Sequence, residues 1–154
     1  MLQILISYFF LFFIHNYEAY PECPNGAVND GTLCYKRLPD PWESNYAEAE
    51  LGCNLTYGGN LMRIGNALAN SIACDLADKK RASVGTDIYV GARRINNVWS
   101  LPDGLPLPYI NWYPGQPENT SGYDCVMLGL YHSSWYATTC DQYARNICTF
   151  PIKK

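Results

Sequence analysis

The sequence predicts a single, small α+β domain held by disulfides, in which two helices precede short strands and a long loop. Apolar residues recur at helical spacing only in the first half of the chain. Short apolar runs separated by turn residues and proline fill the second half. Seven cysteines in 154 residues indicate a chain that folds in an oxidising compartment.

The amino-terminal segment predicts secretion. Leu2 to Ile14 is an apolar stretch of 13 residues, whereas a membrane-spanning helix needs about 20. It suits a secretory signal peptide over residues 1–19 that ends at Ala19. The alternative is a retained membrane anchor, because no Lys or Arg precedes the stretch and Tyr17 is bulky for a cleavage site. We expect the domain itself to span residues 20–154 and to be secreted, with no membrane span.

The first predicted helix runs from Trp42 to Leu55. Tyr46, Ala49 and Cys53 recur along it at helical spacing. Gly58-Gly59 then predicts the end of the helix.

The second predicted helix runs from about residue 66 to residue 77, with Leu68, Ile72 and Leu76 on one face. The basic run Lys79-Lys80-Arg81 follows two acidic residues, and we interpret it as a solvated helix end.

Strand patterns begin after Gly85. Residues 88–90 predict a buried strand, and residues 96–100 a turn that leads into another strand. Residues 101–124 contain five of the ten prolines and predict a long irregular loop, a kind of segment that is often functional in small domains. Closing strands are expected at residues 126–130 and 145–150.

Composition and motifs argue against several classes of function. The net charge of −3 gives no reason to expect a nucleic-acid partner. No Cys-x-x-Cys pair occurs, and His132 is the one histidine beyond the signal segment, so a zinc site is not expected. The common hydrolase, metalloprotease and phosphate-binding motifs are absent, which predicts that the protein is not an enzyme. A nucleophile–base pair of Cys74 and His132 is the remaining catalytic alternative.

Two sequons predict N-glycosylation, which suits a secreted protein. They are Asn54-Leu55-Thr56 and Asn119-Thr120-Ser121.

An ordered series of short motifs runs from about Cys23 to Phe150. Its members are Ala49-x-x-x-Cys53, Gly58-Gly59-x-Leu61, Tyr89-Val90-Gly91-Ala92, Trp99-Ser100 with Asp103-Gly104, Asn111-Trp112, Asp124-Cys125-Val126, Trp135, Cys140 and Ile147-Cys148. Taken together, the series resembles the C-type lectin-like domain family, in the long form with an additional amino-terminal hairpin. The resemblance implies an α+β C-type lectin-like fold with two helices, small antiparallel sheets and a long loop.

The resemblance also implies a disulfide connectivity that cysteine spacing alone leaves open. The implied pairs are Cys23–Cys34, Cys53–Cys148 and Cys125–Cys140. Cys74 is then unpaired. It is either a buried thiol on the second helix or the site of an intermolecular disulfide, so the protein is expected to be a monomer or a dimer through Cys74.

Calcium-dependent members of the family bind calcium and sugar through the long loop and the next strand. Gln116-Pro117-Glu118 stands at their first ligand triplet, but Tyr123 replaces a carboxylate and Tyr136-Ala137 replaces an Asn-Asp pair. Calcium requires 6–8 oxygen ligands. We therefore expect this site to be degenerate, with no metal and no cofactor. The alternative is a calcium-dependent carbohydrate-binding lectin with altered ligand residues.

The resemblance implies a secreted recognition protein that binds a glycan or an extracellular protein. Aromatic residues around the loop suggest a ligand surface, built from Trp112, Tyr113, Tyr123, Trp135 and Tyr136. Trp99 and Trp112 also resemble core residues of the fold. The candidate ligand contacts are Gln116, Glu118, Asn119, Tyr113, Tyr123 and Tyr136. A protein-binding or inhibitory module paired through Cys74 is a further alternative.

Overall fold

A computed structural model describes residues 22–39, 43–77 and 87–153. The predicted signal peptide, residues 1–19, and the basic run at residues 79–81 lie outside the described residues. The elements, in chain order, are β1 Val28–Asn29, β2 Leu33–Arg37, β3 Glu43–Ser44, α1 Tyr46–Tyr57, β4 Asn60–Leu61, α2 Ala67–Leu76, β5 Ile88–Ile95, β6 Val98–Ser100, β7 Cys125–Gly129, β8 Ser134–Thr138, β9 Ala144–Arg145 and β10 Ile147–Pro151.

Two sheets organise the described part of the chain. The first has the strand order β1-β2-β10-β4, and its neighbours are all antiparallel. The second has the order β3-β9-β5-β7-β8, with β6 paired to β5. Its pairings are antiparallel except between β5 and β9. The two helices and two sheets form the α+β architecture that the sequence predicts.

Helix α1 begins later than predicted, because residue 45 caps it. The Asn45 side chain accepts a hydrogen bond from the Glu48 backbone, and the Glu48 side chain accepts one from the Asn45 backbone. Such a capping box satisfies N–H groups that the first helical turn leaves unpaired. The predicted end is correct, since Gly58 closes the helix in the left-handed conformation with φ of 66°.

The predicted inner face of α2 is wrong at Leu68, whose side chain is 57% exposed. The buried residues include Ala69, Ile72 and Ala73, which share one face at helical spacing. Leu76 is partly buried against the same core. The physical reason is that alanine methyl groups allow the helix to pack closely on the sheet. Leu68 lies outside this face and remains in solvent.

The six paired cysteines adopt the connectivity that the family resemblance implies. Cys53–Cys148 joins α1 to β10 across 95 residues of sequence. Cys125–Cys140 links the start of β7 to the chain beyond β8, and Cys23–Cys34 closes the amino-terminal hairpin. Cys74 is unpaired and buried on α2, which agrees with the buried-thiol alternative.

The turn between β1 and β2 is organised by one carboxylate. Burial acts to raise the pKa of Asp30, but hydrogen bonds from the side chains of Tyr35 and Thr32 and from the backbone of Leu33 and Thr32 lower it to about 2. These hydrogen bonds therefore favour the ionised form of Asp30 in the folded hairpin.

The long loop follows the β5–β6 hairpin. Asn96 and Asn97 both have positive φ at the hairpin turn, as its Asn-Asn sequence predicts. Residues 101–124 then contain no helix or named strand, and only two isolated bridges, at Pro106 and Trp112, join this loop to strands. Neither helix in the described ranges is long and apolar enough to cross a lipid bilayer.

Candidate functional site

Aromatic rings fasten the long loop to the core. Trp112, on the loop, packs edge-to-face on Trp99 of β6 and Trp135 of β8, with ring centroids 5.2 and 5.8 Å apart. Tyr109, also on the loop, packs edge-to-face on Trp135 at 5.7 Å. Trp135 is only 1% exposed, so its assignment to a ligand surface is wrong. A ring of this size contributes more to stability in the core than at the surface.

Hydrogen bonds also attach the long loop to the core near Trp135. The indole N–H of Trp135 donates to Oδ1 of Asn70, on α2, at 2.8 Å. The amides of Asn70 and Asn111 both donate to the carbonyl of Ser133, at 3.0 and 2.7 Å. Helix α2, the loop and the β7–β8 turn therefore meet at one set of buried and half-buried polar groups.

The loop continues the sheet along the outer edge of β8. The N–H of Trp135 donates to the Asn111 carbonyl at 2.7 Å, and the N–H of Tyr113 donates to the Trp135 carbonyl at 2.8 Å. Two residues further along β8, the N–H of Ala137 donates to the side-chain oxygen of Gln116 at 2.9 Å. The Gln116 amide thus takes the position of a strand carbonyl and covers a sheet edge that would otherwise be open.

The side-chain oxygen of Gln116 also accepts a hydrogen bond from the N–H of Glu118, at 3.1 Å. A carbonyl oxygen has two lone pairs. Both are therefore engaged by backbone amides of the chain itself. The peptide bond between Gln116 and Pro117 is cis.

An arginine on β5 holds the far end of the loop. Nε of Arg94 lies 2.7 Å from Oδ1 of Asp124, and Nη2 donates to the Thr120 carbonyl at 2.9 Å. The guanidinium also lies over the ring of Trp99, 5.7 Å from its centroid. The Arg94 side chain is 11% exposed and that of Asp124 is 41% exposed. A partly desolvated charge pair therefore closes the loop between Thr120 and β7.

The remaining predicted ligand positions, Tyr123, Tyr136 and Ala137, are half-buried or buried. The hydroxyl of Tyr136 donates to Oδ2 of Asp87 at 2.7 Å, and burial together with this hydrogen bond raises the Tyr136 pKa. Ala137 is buried and has no side-chain oxygen, and Tyr123 is half-buried. Ligand contact by Tyr123 and Tyr136 stays a prediction, and the Tyr136 hydroxyl already has a partner.

The exposed part of the site is aromatic, and sequence reasoning missed most of it. Tyr113 is 45% exposed, and its ring packs against that of His132 with centroids 4.4 Å apart. Tyr131, the next residue to His132 on the β7–β8 turn, is 91% exposed. A Cβ on Gly129 would lie 2.4 Å from the imidazole, so only glycine leaves room for it. The signal in the sequence was a Tyr-His pair in a turn between two strands.

We call the exposed residues along this edge the recognition face. Glu118 and Asn119, two of the predicted ligand residues, are exposed on the same loop. Gln116 is half-buried and its side chain is bonded to the backbone, and ligand contact by Gln116 stays a prediction. The recognition face consists of Tyr113, Glu118, Asn119, Tyr131 and His132.

The proposed catalytic pair gains no support from the geometry. Cys74 is 3% exposed, and Nδ1 of His132 already accepts a hydrogen bond from the N–H of Ser134. Across residues 22–39, 43–77 and 87–153, no three His, Cys, Asp or Glu side chains group as metal ligands.

Comparisons with known proteins agree with this architecture. The model of the lectin C-type domain family matches residues 43–150. Lithostathine-2 of Mus musculus is 24% identical over 133 residues, which cover 84% of this chain and 75% of that protein.

Solved structures give the same result. Human lithostathine superposes with a TM-score of 0.74 at 20% identity, covering 87% of this chain and 94% of that one. A calcium-independent type II antifreeze protein superposes with a TM-score of 0.71 at 21% identity, covering 86% and 96%. At these identities the structures show a shared fold, and they confirm the fold that the sequence motifs predict.

Proposed function

Because this chain belongs to the lectin C-type domain family, we propose that it is a secreted recognition protein that binds a carbohydrate or protein ligand without calcium. The ligand would contact the recognition face. The observation that carries the proposal is the Gln116 side chain, whose oxygen is bonded to two backbone N–H groups.

The residues present do not fit a calcium ion. A cation at Gln116 would have to displace hydrogen bonds to Glu118 and to the buried N–H of Ala137. Asp124, the carboxylate next to the degenerate position Tyr123, already forms an ion pair with Arg94. Calcium needs 6–8 oxygens, and the loop offers no comparable set. These contacts support a loop that protein groups alone hold in shape.

The shared fold does not by itself decide whether a metal is bound, because a calcium-independent and a Ca²⁺-dependent type II antifreeze protein superpose on this chain with TM-scores of 0.71 and 0.68.

The exposed rings indicate how a ligand would be held. The rings of Tyr113 and His132 pack against each other, and Tyr131, the neighbour of His132 in the chain, is 91% exposed, so the recognition face offers aromatic rings with polar edges. Aromatic faces pack on the apolar side of sugars and equally on apolar side chains of proteins. The site offers contact surface rather than an activated nucleophile, which supports binding rather than catalysis. The buried Cys74 also favours a monomer over a module paired by an intermolecular disulfide.

A binding screen tests the proposal. The purified protein is applied to a broad glycan panel and to extracellular protein extracts, once with calcium and once with a chelator. We expect the chelator to leave the binding unchanged and the Tyr131→Ala substitution to weaken it. Tyr143→Ala is the matched control, because Tyr143 is 66% exposed but lies outside the recognition face.

Two outcomes would overturn the proposal. Binding that the chelator abolishes would establish the altered calcium-dependent lectin instead. Binding that Tyr131→Ala leaves intact while Tyr143→Ala removes it would place the ligand on another surface.

A further inference from the structure

A concave surface that includes no residue of the recognition face lies between α1 and the β5–β6 hairpin. Its volume is about 460 Å³, within the range of about 300–1,000 Å³ that small-ligand sites occupy. Its principal lining residues are Tyr46, Glu50, Leu51 and Asn54 of α1, and Arg93 and Ile95 of β5. We call this surface the helix groove.

One face of α1 forms a wall of the helix groove. Tyr46 and Asn54 are separated by eight positions, which is about 12 Å along a helix that rises 1.5 Å per residue. Asn54 lies in the last turn of α1 and is exposed. The carboxamide of Asn54 therefore stands at one end of a groove that extends along the helix.

The walls of the groove combine apolar and donor groups. Leu51 is 59% exposed although it is aliphatic, and Ile95 and Pro102 line the opposite side. The Arg93 guanidinium lies over the Tyr46 ring, 5.4 Å from its centroid, and forms no ion pair with any described residue. The Tyr46 hydroxyl is buried and has no hydrogen-bond partner. An apolar wall beside the exposed N–H donors of Arg93 suits a ligand rich in hydroxyl and carbonyl oxygens.

The sequence predicts attachment of such a ligand at the end of the helix groove where Asn54 lies. Asn54 begins the sequon Asn54-Leu55-Thr56, and both Asn54 and Thr56 are exposed. Leu55 is 75% exposed beside them. We propose that the helix groove is the seat of the chain's own N-linked glycan, attached to Asn54.

The chemistry of attachment is that of ordinary N-glycosylation in a secretory pathway. Nδ2 of Asn54 forms a bond to the anomeric carbon of the first N-acetylglucosamine, supplied by a lipid pyrophosphate oligosaccharide. The lipid pyrophosphate is the leaving group, and the amide nitrogen gives up one proton. The chain is glycosylated before it folds, so the position of Asn54 in a helix is no obstacle.

Once the chain has folded, the inner sugars of the glycan lie along the helix groove. Their apolar faces and N-acetyl methyl groups cover Leu51 and Ile95, and their oxygens accept hydrogen bonds from Arg93. The glycan thus removes exposed apolar surface on α1 from water. The second sequon provides an internal control, because Asn119 is exposed on the loop and does not line the helix groove.

The test uses protein secreted from glycosylating eukaryotic cells behind a vector signal sequence. Intact mass and Tm are measured for the wild type, Asn54→Gln, Thr56→Ala and Asn119→Gln. We expect one glycan fewer in both Asn54→Gln and Thr56→Ala, with a Tm about 2–4 °C lower. Thr56→Ala keeps the asparagine, so agreement between the two variants assigns the loss to the glycan. Asn119→Gln should leave Tm unchanged.

The Arg93→Ala variant tests whether the glycan is bound in the helix groove. In this variant, removing the Asn54 glycan through Thr56→Ala should change Tm by less than it does in the wild type. The proposal is overturned if Asn54 carries no glycan, if Thr56→Ala leaves Tm unchanged, or if Arg93→Ala leaves the glycan's effect at full size. None of these outcomes depends on the ligand of the recognition face. The glycan proposal can therefore be wrong while the proposed function is right.

Discussion

The hydrogen bonds of Gln116 allow the role of the loop to be measured by a single substitution. Gln116→Leu keeps the approximate size of the side chain and removes the acceptor for two N–H groups. Glu118 is exposed, so water replaces the lost partner there. Ala137 is 3% exposed, so its N–H is left buried without a partner.

The expected cost follows from that one orphaned donor. An unsatisfied buried donor costs about 1–3 kcal/mol. A change of about 1 kcal/mol shifts Tm by about 2–4 °C for a protein of this size. Gln116→Leu should therefore lower Tm by about 2–12 °C, measured by thermal unfolding followed by circular dichroism.

Gln116→Glu is the matched control. A carboxylate keeps the acceptor oxygens in place, so this variant should remain close to the wild type in Tm. The reasoning is refuted if Gln116→Leu is as stable as the wild type. It is equally refuted if Gln116→Glu loses as much stability as Gln116→Leu, because the acceptor would then not be the cause.

Three further predictions concern the core and the hairpin. Trp135→Phe should cost about 1–3 kcal/mol in urea unfolding, because Oδ1 of Asn70 loses its buried donor; an unchanged midpoint would contradict this. Replacing Cys53 and Cys148 by serine should destabilise more than removing the bridge between β7 and the chain after β8, since loops of 95 and 15 residues predict about 4–5 and about 3 kcal/mol; the reverse order would contradict it. The pKa of Asp30 is about 2, below the unfolded value of about 3.9, so Asp30 adds stability above pH 3.9 that is lost as the pH falls towards 2. Asp30→Asn should lack this part of the acid dependence, and a pH–stability curve parallel to the wild type would exclude the effect.

The sequence predicts the framework of this fold well, because the relevant signals are local. Gly58-Gly59 stops α1, since only a residue tolerant of the left-handed conformation closes the helix there. The Asn-Asn pair at residues 96–97 sets a tight hairpin turn for a similar reason. The six paired cysteines follow the family resemblance and could not have been paired by spacing.

The errors of sequence reasoning lie where tertiary contacts decide. Leu68 has the apolar character of a core residue, but alanines at neighbouring positions take the inner face of α2. Trp135 is as suitable for a ligand surface as for a core, and it lies inside because its ring packs in the core and its N–H bonds to Asn70. A hydrophobic or aromatic residue alone does not reveal which side of an element it will occupy.

The sequence proposes a region for the candidate site, but it does not predict the contacts within that region. The proline-rich loop and the degenerate ligand positions indicate the region and the missing oxygens. The roles of Gln116 and Arg94 could not be predicted from the sequence, because each depends on a partner far along the chain. Gln116 bonds to Ala137, and Arg94 pairs with Asp124. The turn with Tyr131 and His132 was missed for the same reason, since it meets Tyr113 only in the folded chain.

The most direct test of the central claim, a loop held in shape without metal, is the Tm of metal-stripped protein with and without 10 mM calcium, roughly 100 times a dissociation constant of about 0.1 mM. A ligand at about 100 times its dissociation constant stabilises a native protein by about 2.7 kcal/mol. This corresponds to a rise of about 5–11 °C in Tm. The account predicts no rise, because Gln116 and Asp124 are already bonded within the protein. A rise of that size, lost in Gln116→Leu, would contradict it and would show that the loop binds calcium.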